Sequence, residues 1–199
     1  MKKIELIPVI SEGIQIGLKN FASIFAAVLL WLITIWVPYI NVGTTIAILS
    51  LPVALSKGEG ILSPLFIFES KYRRYMGEFF TLIGLMWLSI FPALTFGIVP
   101  GIIIGIGWSL AIYILIDKGV APGEALVQSN KATYGYKWTI FGVSVVINII
   151  TYILLLLLFC IPIITSSIIG IILMLIVVAS IQVFGIGCNT VIYRNLTKE

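Results

Sequence analysis

The chain has no histidine and a single aspartate, Asp117. Without imidazole it lacks the most frequent general base and the most frequent metal ligand. Cysteine is scarce as well. Cys160 and Cys188 stand 28 residues apart, at opposite ends of what reads as one helix. That is about 40 Å of helix, too far for a disulfide, whose Cα atoms lie within roughly 7 Å of each other. Cys160, in LLFCIPII, has no neighbour that would favour a thiolate. No metal, no cofactor and no enzymatic activity are expected. The third deficit is charge. Charged residues make up 10% of the 199 residues and hydrophobic ones 60%, with a mean hydropathy of +1.18. A soluble domain carries about 25% charge, so this composition excludes one and points to an integral membrane protein.

The charges are also segregated. None lies between Lys19 and Lys57, between Glu78 and Asp117, or between Lys137 and Arg194, which leaves charge-free blocks at 20–56, 79–116 and 138–193. Their lengths of 37, 38 and 56 residues each suffice for two crossings of about 20 residues. Each block has a proline near its middle: Pro38 in WVPYINVG, Pro100 in GIVPGIIIG and Pro162 in FCIPIITSS, spaced by 62 and 62. Proline ends or kinks a helix, and hydrocarbon leaves no partner for a freed backbone group. The prolines are therefore expected at water-facing corners. The expected spans are 20–37, 41–56, 79–97, 101–117, 138–160 and 163–188.

The segments before the blocks resemble one another. PVISEGIQIGLKN, SPLFIFESKYRRYMGE and APGEALVQSNKATYGYK each open near a proline, carry basic residues and run into an apolar span. In the first, Ile7, Ile10, Ile14 and Leu18 share a face. In the second, Leu65, Phe68, Tyr72 and Met76 align. In the third, Ala125, Ser129, Ala132 and Tyr136 form a small-residue face. Each reads as an amphipathic interfacial helix. The expected fold is all-α: six transmembrane helices in three proline-cornered hairpins, with an amphipathic cytoplasmic helix before spans one, three and five. Residues 1–199 form one membrane domain, with three inexact repeats at 5–56, 63–117 and 121–190. All twelve lysines and arginines lie in the termini or the two long connections, and none in the proline corners. The positive-inside rule then puts both termini in the cytoplasm of a cell with this chain in its inner, or plasma, membrane. Lys2 and Lys3 precede only IELIPVI, which is short and includes Glu5, so no cleaved signal is expected.

The glycine-rich stretch GIVPGIIIGIG, 97–107, lacks the G-x-G-x-x-G order of a dinucleotide site and the lysine of a P-loop. Gly101 and Gly105 instead fit a close helix-packing face, within the chain or between chains. The polar residues of the blocks, Asn148 and Gln182 foremost, suit interhelical hydrogen bonds or the lining of a cavity, since an amide is costly to leave unpaired in hydrocarbon. Lys71, Arg73 and Arg74, with Tyr72 and Tyr75, form the strongest local signal, a basic aromatic cluster suited to lipid head groups or a partner. Tyr134, Tyr136 and Trp138 mark the same interface before the fifth span.

Ala125, Leu126, Ser129, Gly135, Trp138 and Phe141, within GEALVQSNKATYGYKWTIFGV, resemble a motif of six-span bacterial and archaeal membrane proteins of uncharacterised function. These include the membrane domain attached to some glycerophosphodiester phosphodiesterases. The resemblance implies a six-helix membrane module; it implies no catalytic residue, because no phosphodiesterase domain accompanies it. The function expected is a non-enzymatic module that binds lipid or a partner. The alternative is a facilitator or transporter subunit for a small neutral or apolar solute, since transporters often contain repeats. The expected partners are membrane lipids, with another membrane protein or a second copy of the chain as alternatives, and no nucleic acid.

Overall fold

The computed structural model describes residues 4–60, 63–160 and 167–197. The corner at Pro162 and the charges of Lys2, Lys3 and Lys198 lie outside them. Ten α-helices run through the described residues: α1 Leu6–Lys19, α2 Phe21–Thr34, α3 Pro38–Ser56, α4 Ser70–Arg73, α5 Met76–Phe96, α6 Ile98–Gly107, α7 Ala111–Lys118, α8 Pro122–Thr133, α9 Lys137–Phe159 and α10 Ile168–Thr197. A 3₁₀ helix, Pro64–Phe68, precedes α4. No strand occurs among the described residues. The protein is an all-α membrane protein. Five stretches are long and apolar enough to cross a bilayer: α3, α5, α6 with α7, α9 and α10. The expected first span is shorter than foreseen. Only 14 residues, Phe21–Thr34, are helical, and α2 reaches spanning length only together with α1, which meets it at 81°.

Two proline corners stand where the sequence puts them. Pro38 occupies the first turn of α3, where its missing N–H costs nothing. The turn before it exposes Ile35, Trp36 and Val37. In the second hairpin the break falls at Gly97, and Pro100 lies within the first turn of α6. Pro52 and Pro92 lie inside α3 and α5. The inner face of Gly101 lies directly on Leu94 of α5, whose Cα is 3.1 Å from where a Cβ would stand. Gly105 faces Ile90 with more room, at 4.0 Å. The close approach of the 101–105 glycines is thus between α5 and α6 of the same chain.

The tightest seam lies elsewhere. A Cβ on Gly13 would come within 2.7 Å of the backbone of Cys188, and one on Gly17 within 3.2 Å of the Val183 carbonyl. Gly187 lies against the Gly13 carbonyl from the opposite side. The two helices touch backbone to backbone through G-x-x-x-G at 13–17, the spacing that lets membrane helices approach closely. The face that α1 buries is therefore Val9, Gly13 and Gly17. Ile7, Ile14 and Leu18, taken from the sequence as its apolar stripe, point outward, where a helix in the interface would meet lipid.

The fourth span is broken. Between α6 and α7 the chain leaves helical geometry at Trp108–Leu110, and α8 repairs the break. The Ser129 hydroxyl donates to the Gly107 carbonyl at 2.7 Å and accepts from the Leu110 N–H at 3.2 Å. The Thr133 hydroxyl lies 3.2 Å from the same carbonyl. Both side chains are fully buried. Irregular backbone at membrane depth persists only where protein groups pair it. The small face of α8, Ala125, Ser129 and Ala132, thus packs into the bundle. Gly135, at φ +85°, makes the left-handed turn from α8 into α9 that favours glycine.

Two outcomes are expected from these contacts. Gly187→Ala destabilises the detergent-solubilised protein by about 1–3 kcal/mol through overpacking, whereas Gly185→Ala, which meets nothing within 4 Å, leaves it as stable or better; thermal unfolding of both variants checks this. Ser129→Ala strands the buried Leu110 N–H and costs about 1–3 kcal/mol, measurable in the same assay, while Ser129→Thr preserves the hydroxyl.

A candidate lipid cleft at the charged pole

Charged residues of five helices meet at one pole of the bundle. Lys57, which caps α3, pairs with Asp117 near the end of α7. The Tyr193 hydroxyl of α10 donates to the other oxygen of Asp117 at 2.5 Å. Next in sequence, Arg194 pairs with Glu12 of α1 at 2.5 Å. Lys118 donates to Gln128, and Gln128 to Glu124, which ties α7 to α8. Asp117 is 16% exposed by its side chain and holds two partners on two helices. The hydrogen bond that Lys57 donates to Asp117 raises the lysine's pKa above its ordinary value. The stabilisation from this pair is therefore fully present below the ordinary lysine range and fades as pH rises through the raised pKa.

Between α3 and the segment after it lies a cleft. The 3₁₀ helix starts at Pro64 behind Ser63, whose hydroxyl accepts from the Leu65 N–H at 3.3 Å. Glu69 is extended and separates it from the single turn of α4. Sequence periodicity suggested one amphipathic helix here, with Leu65, Phe68, Tyr72 and Met76 on its stripe. The chain instead bends at Glu69 and buries Ile67 and Tyr72 while leaving Leu65 and Phe68 exposed. Burial against the hairpin overrides the helical period. Ile67 and Tyr72 join Ala27 of α2 and Ile46 and Ala47 of α3 in one cluster, some 15 Å along α3 from Lys57 at the helical rise. The Phe66 and Tyr72 rings meet edge to face, 6.2 Å between centroids.

Two adjoining cavities open beside this segment, of about 450 and 280 Å³. Ser50, Ala54, Glu59, Lys71 and Tyr72 line both. The larger has Leu51, Leu65 and Phe66 as its apolar wall and Glu69 on its rim. The smaller reaches Lys57, Asp117 and Tyr75. Lys71 bonds Glu69 at 2.7 Å and lies 5.0 Å from the centre of the Tyr72 ring. The Glu69 hydrogen bond raises its pKa.

Of the five residues of the basic aromatic cluster, Lys71, Tyr72 and Tyr75 therefore line the cleft. Arg74 is exposed. Arg73 lays its stem on α3, its Cγ 2.8 Å from where a Cβ of Gly43 would stand. Neither arginine has a carboxylate partner among the described residues. Asn148 and Gln182, offered as cavity lining, sit elsewhere. Both are exposed on the outside of the bundle and neither lines these cavities. The carboxylates of the cleft, Glu59, Glu69 and Asp117, were not among the site residues expected from the sequence. The KG pairs at 57–58 and 118–119, each with a left-handed glycine that closes a span, could have marked this pole. Among the described residues no group of carboxylates and cysteines could hold a metal ion.

Asp117→Ala removes the tie between α3, α7 and α10 and is expected to cost about 1–3 kcal/mol, with Lys57 more reactive toward amine-directed labels. Thermal unfolding and labelling of Lys57 check both parts. Comparison with protein-family models, with curated proteins and with solved structures found no match to the chain.

Proposed function

We propose that the protein is a non-enzymatic membrane module that binds phospholipid in the cleft beside α3. The observation that supports this reading is the pairing of chemistries there. Lys57 pairs with Asp117 and Lys71 with Glu69, Glu59 lies beside them, and Leu51, Leu65 and Phe66 form the apolar wall of the larger cavity. A zwitterionic head group matches such a rim: its phosphate seats by Lys71 and its amine by Glu59 or Glu69. The first acyl carbons lie along the apolar wall. A volume of about 450 Å³ suits a head group and a short length of chain, at the lower part of the usual ligand range. Arg73 and Arg74, without carboxylate partners among the described residues, face the surrounding anionic lipid. Each such cation near a membrane surface contributes about 1 kcal/mol of attraction.

The non-enzymatic part of the reading rests on the residue inventory: no histidine and no charge within the apolar blocks. The positive-inside rule, with every cation at the termini and long connections, supports an inner-membrane location with both termini cytoplasmic. The resemblance of residues 125–141 to the phosphodiesterase-linked membrane domain is compatible with this and adds no catalytic group.

The test is native mass spectrometry of protein released from nanodiscs that contain phosphatidylethanolamine and phosphatidylglycerol. One retained phosphatidylethanolamine per chain is expected, lost by at least tenfold in Lys71→Glu and kept in Arg73→Glu with Arg74→Glu. The double variant instead binds anionic vesicles more weakly. A chain that retains no phospholipid, or retains it equally with Lys71→Glu, would refute the reading.

A further inference from the structure

We propose that two copies of the chain pair in the membrane through α9, with Asn148 hydrogen-bonding across the contact. The helix is, together with α5, the least covered of the spans: of its 23 residues only Ile140 and Val143 are buried. Its inner face, Ile140 and Val143, meets the bundle, and Gly142 lies against Leu6 of α1. The side that bears Ser144, Asn148 and Tyr152, each four residues from the next, is exposed. Asn148 is the middle residue of Lys137–Phe159. It stands eleven residues from Lys137, about 16 Å along the helix, and so close to the centre of a bilayer about 30 Å thick.

The amide is only partly satisfied. Its NH₂ donates to the Ser144 carbonyl of its own helix at 2.8 Å. Its carbonyl oxygen accepts no hydrogen bond among the described residues. Among the span hydroxyls, Thr81, Thr95 and the half-buried Ser180 each donate their one proton back to their own helix. A carboxamide has two donors and an acceptor, and leaving them unpaired in hydrocarbon is costly. Acyl chains at the midplane offer neither group.

A second copy does. Copies inserted in the same orientation carry Asn148 at the same depth, so a two-fold axis along the membrane normal brings amide to amide. Each then donates to and accepts from the other, the self-complementary pattern of a two-fold contact. An unrelated partner would need a polar group at that depth by coincidence. Gln182 of α10, also exposed, stands twelve residues from Arg194, about 18 Å along its helix. Interhelical hydrogen bonds between polar side chains hold membrane helices together in this way, and a single buried Asn fixes register and partner number in coiled coils.

The experiment uses the full chain. In native membranes, Asn148→Cys in a Cys160→Ser background is expected to form a disulfide-linked species of twice the chain mass on mild oxidation. Phe91→Cys, also exposed but on α5, should not. In detergent, Asn148→Leu weakens the dimer by roughly ten- to hundredfold, the effect of losing two such bonds, while Asn148→Gln restores most of it. Thermal unfolding of the monomer is unchanged by Asn148→Leu, since the side chain is exposed. A wild-type chain that stays monomeric in the bilayer, cross-linking at residue 91 rather than 148, or a cross-linked product of another mass would each overturn the proposal.

Discussion

Hydrocarbon solvates neither a charge nor an unpaired backbone amide, and the architecture of this chain follows from that one constraint. The charges are confined to the ends of the apolar blocks, so each block folds back on itself. Returning the chain requires a break in a helix, and a break is tolerated only at a corner or where protein supplies hydrogen bonds. Pro38 and Gly97 take the first solution. The interruption at Trp108–Leu110 takes the second, through Ser129 and Thr133. The same rule gathers Lys57, Asp117, Tyr193, Arg194 and Glu12 at one pole, where each charge finds a counter-charge near water.

Within lipid, helices gain little from burying apolar side chains against one another, because acyl chains are equally apolar. Close backbone approach and polar pairing then decide which helices meet. The backbone contact of Gly13 and Gly17 with Gly187 is the clearest instance. The α2–α3 hairpin shows the polar kind: Trp31 donates to Thr45 at 2.8 Å, the Thr34 and Thr44 hydroxyls meet at 2.9 Å, and Asn41 donates to Thr34 at 3.2 Å. Every one of these bonds joins α2 or the turn after it to α3. The corner that Pro38 starts is thereby fixed by hydrogen bonds rather than by the proline alone.

Much of this frame was legible in residue order, because charge exclusion and helix breaking act on single residues. The block ends, the corners at Pro38 and Pro100 and the helical class needed only those two rules. The small face of α8 was visible too, but not the backbone gap it fills, since a polar residue's partner lies 22 residues away in sequence. The glycine pair at 13–17 was passed over in favour of 101–105, because spacing alone does not say which small faces meet. The basic connection misled for a related reason. Its apolar residues fit a helical period, yet the burial available against Ala27, Ile46 and Ala47 outweighs one helical turn's propensity, so the chain bends at Glu69. The cleft arises beside that bend: its basic and aromatic residues Lys71, Tyr72 and Tyr75 were legible in the sequence, its apolar wall and the bend were not.

The short α2 explains why the connection is drawn inward. Fourteen residues cover about 21 Å, less than the roughly 30 Å of a hydrocarbon core. A helix of that length leaves its bundle thin on one side unless other chain fills the depth. Two segments do so. At one end of α2, α1 turns away at 81° and exposes Ile7, Ile14 and Leu18, an apolar surface suited to the head-group boundary. Along its flank the 3₁₀ helix and α4 press Ile67 and Tyr72 against the middle of the α2–α3 hairpin. The polar residues of that segment, Glu69 and Lys71, are thereby carried toward the hydrocarbon edge while remaining at an open cleft. A phospholipid head group occupies that same depth in a bilayer. On the proposed reading, the side of the bundle beside the short α2 is where a lipid would leave the leaflet and meet the paired charges of the cleft.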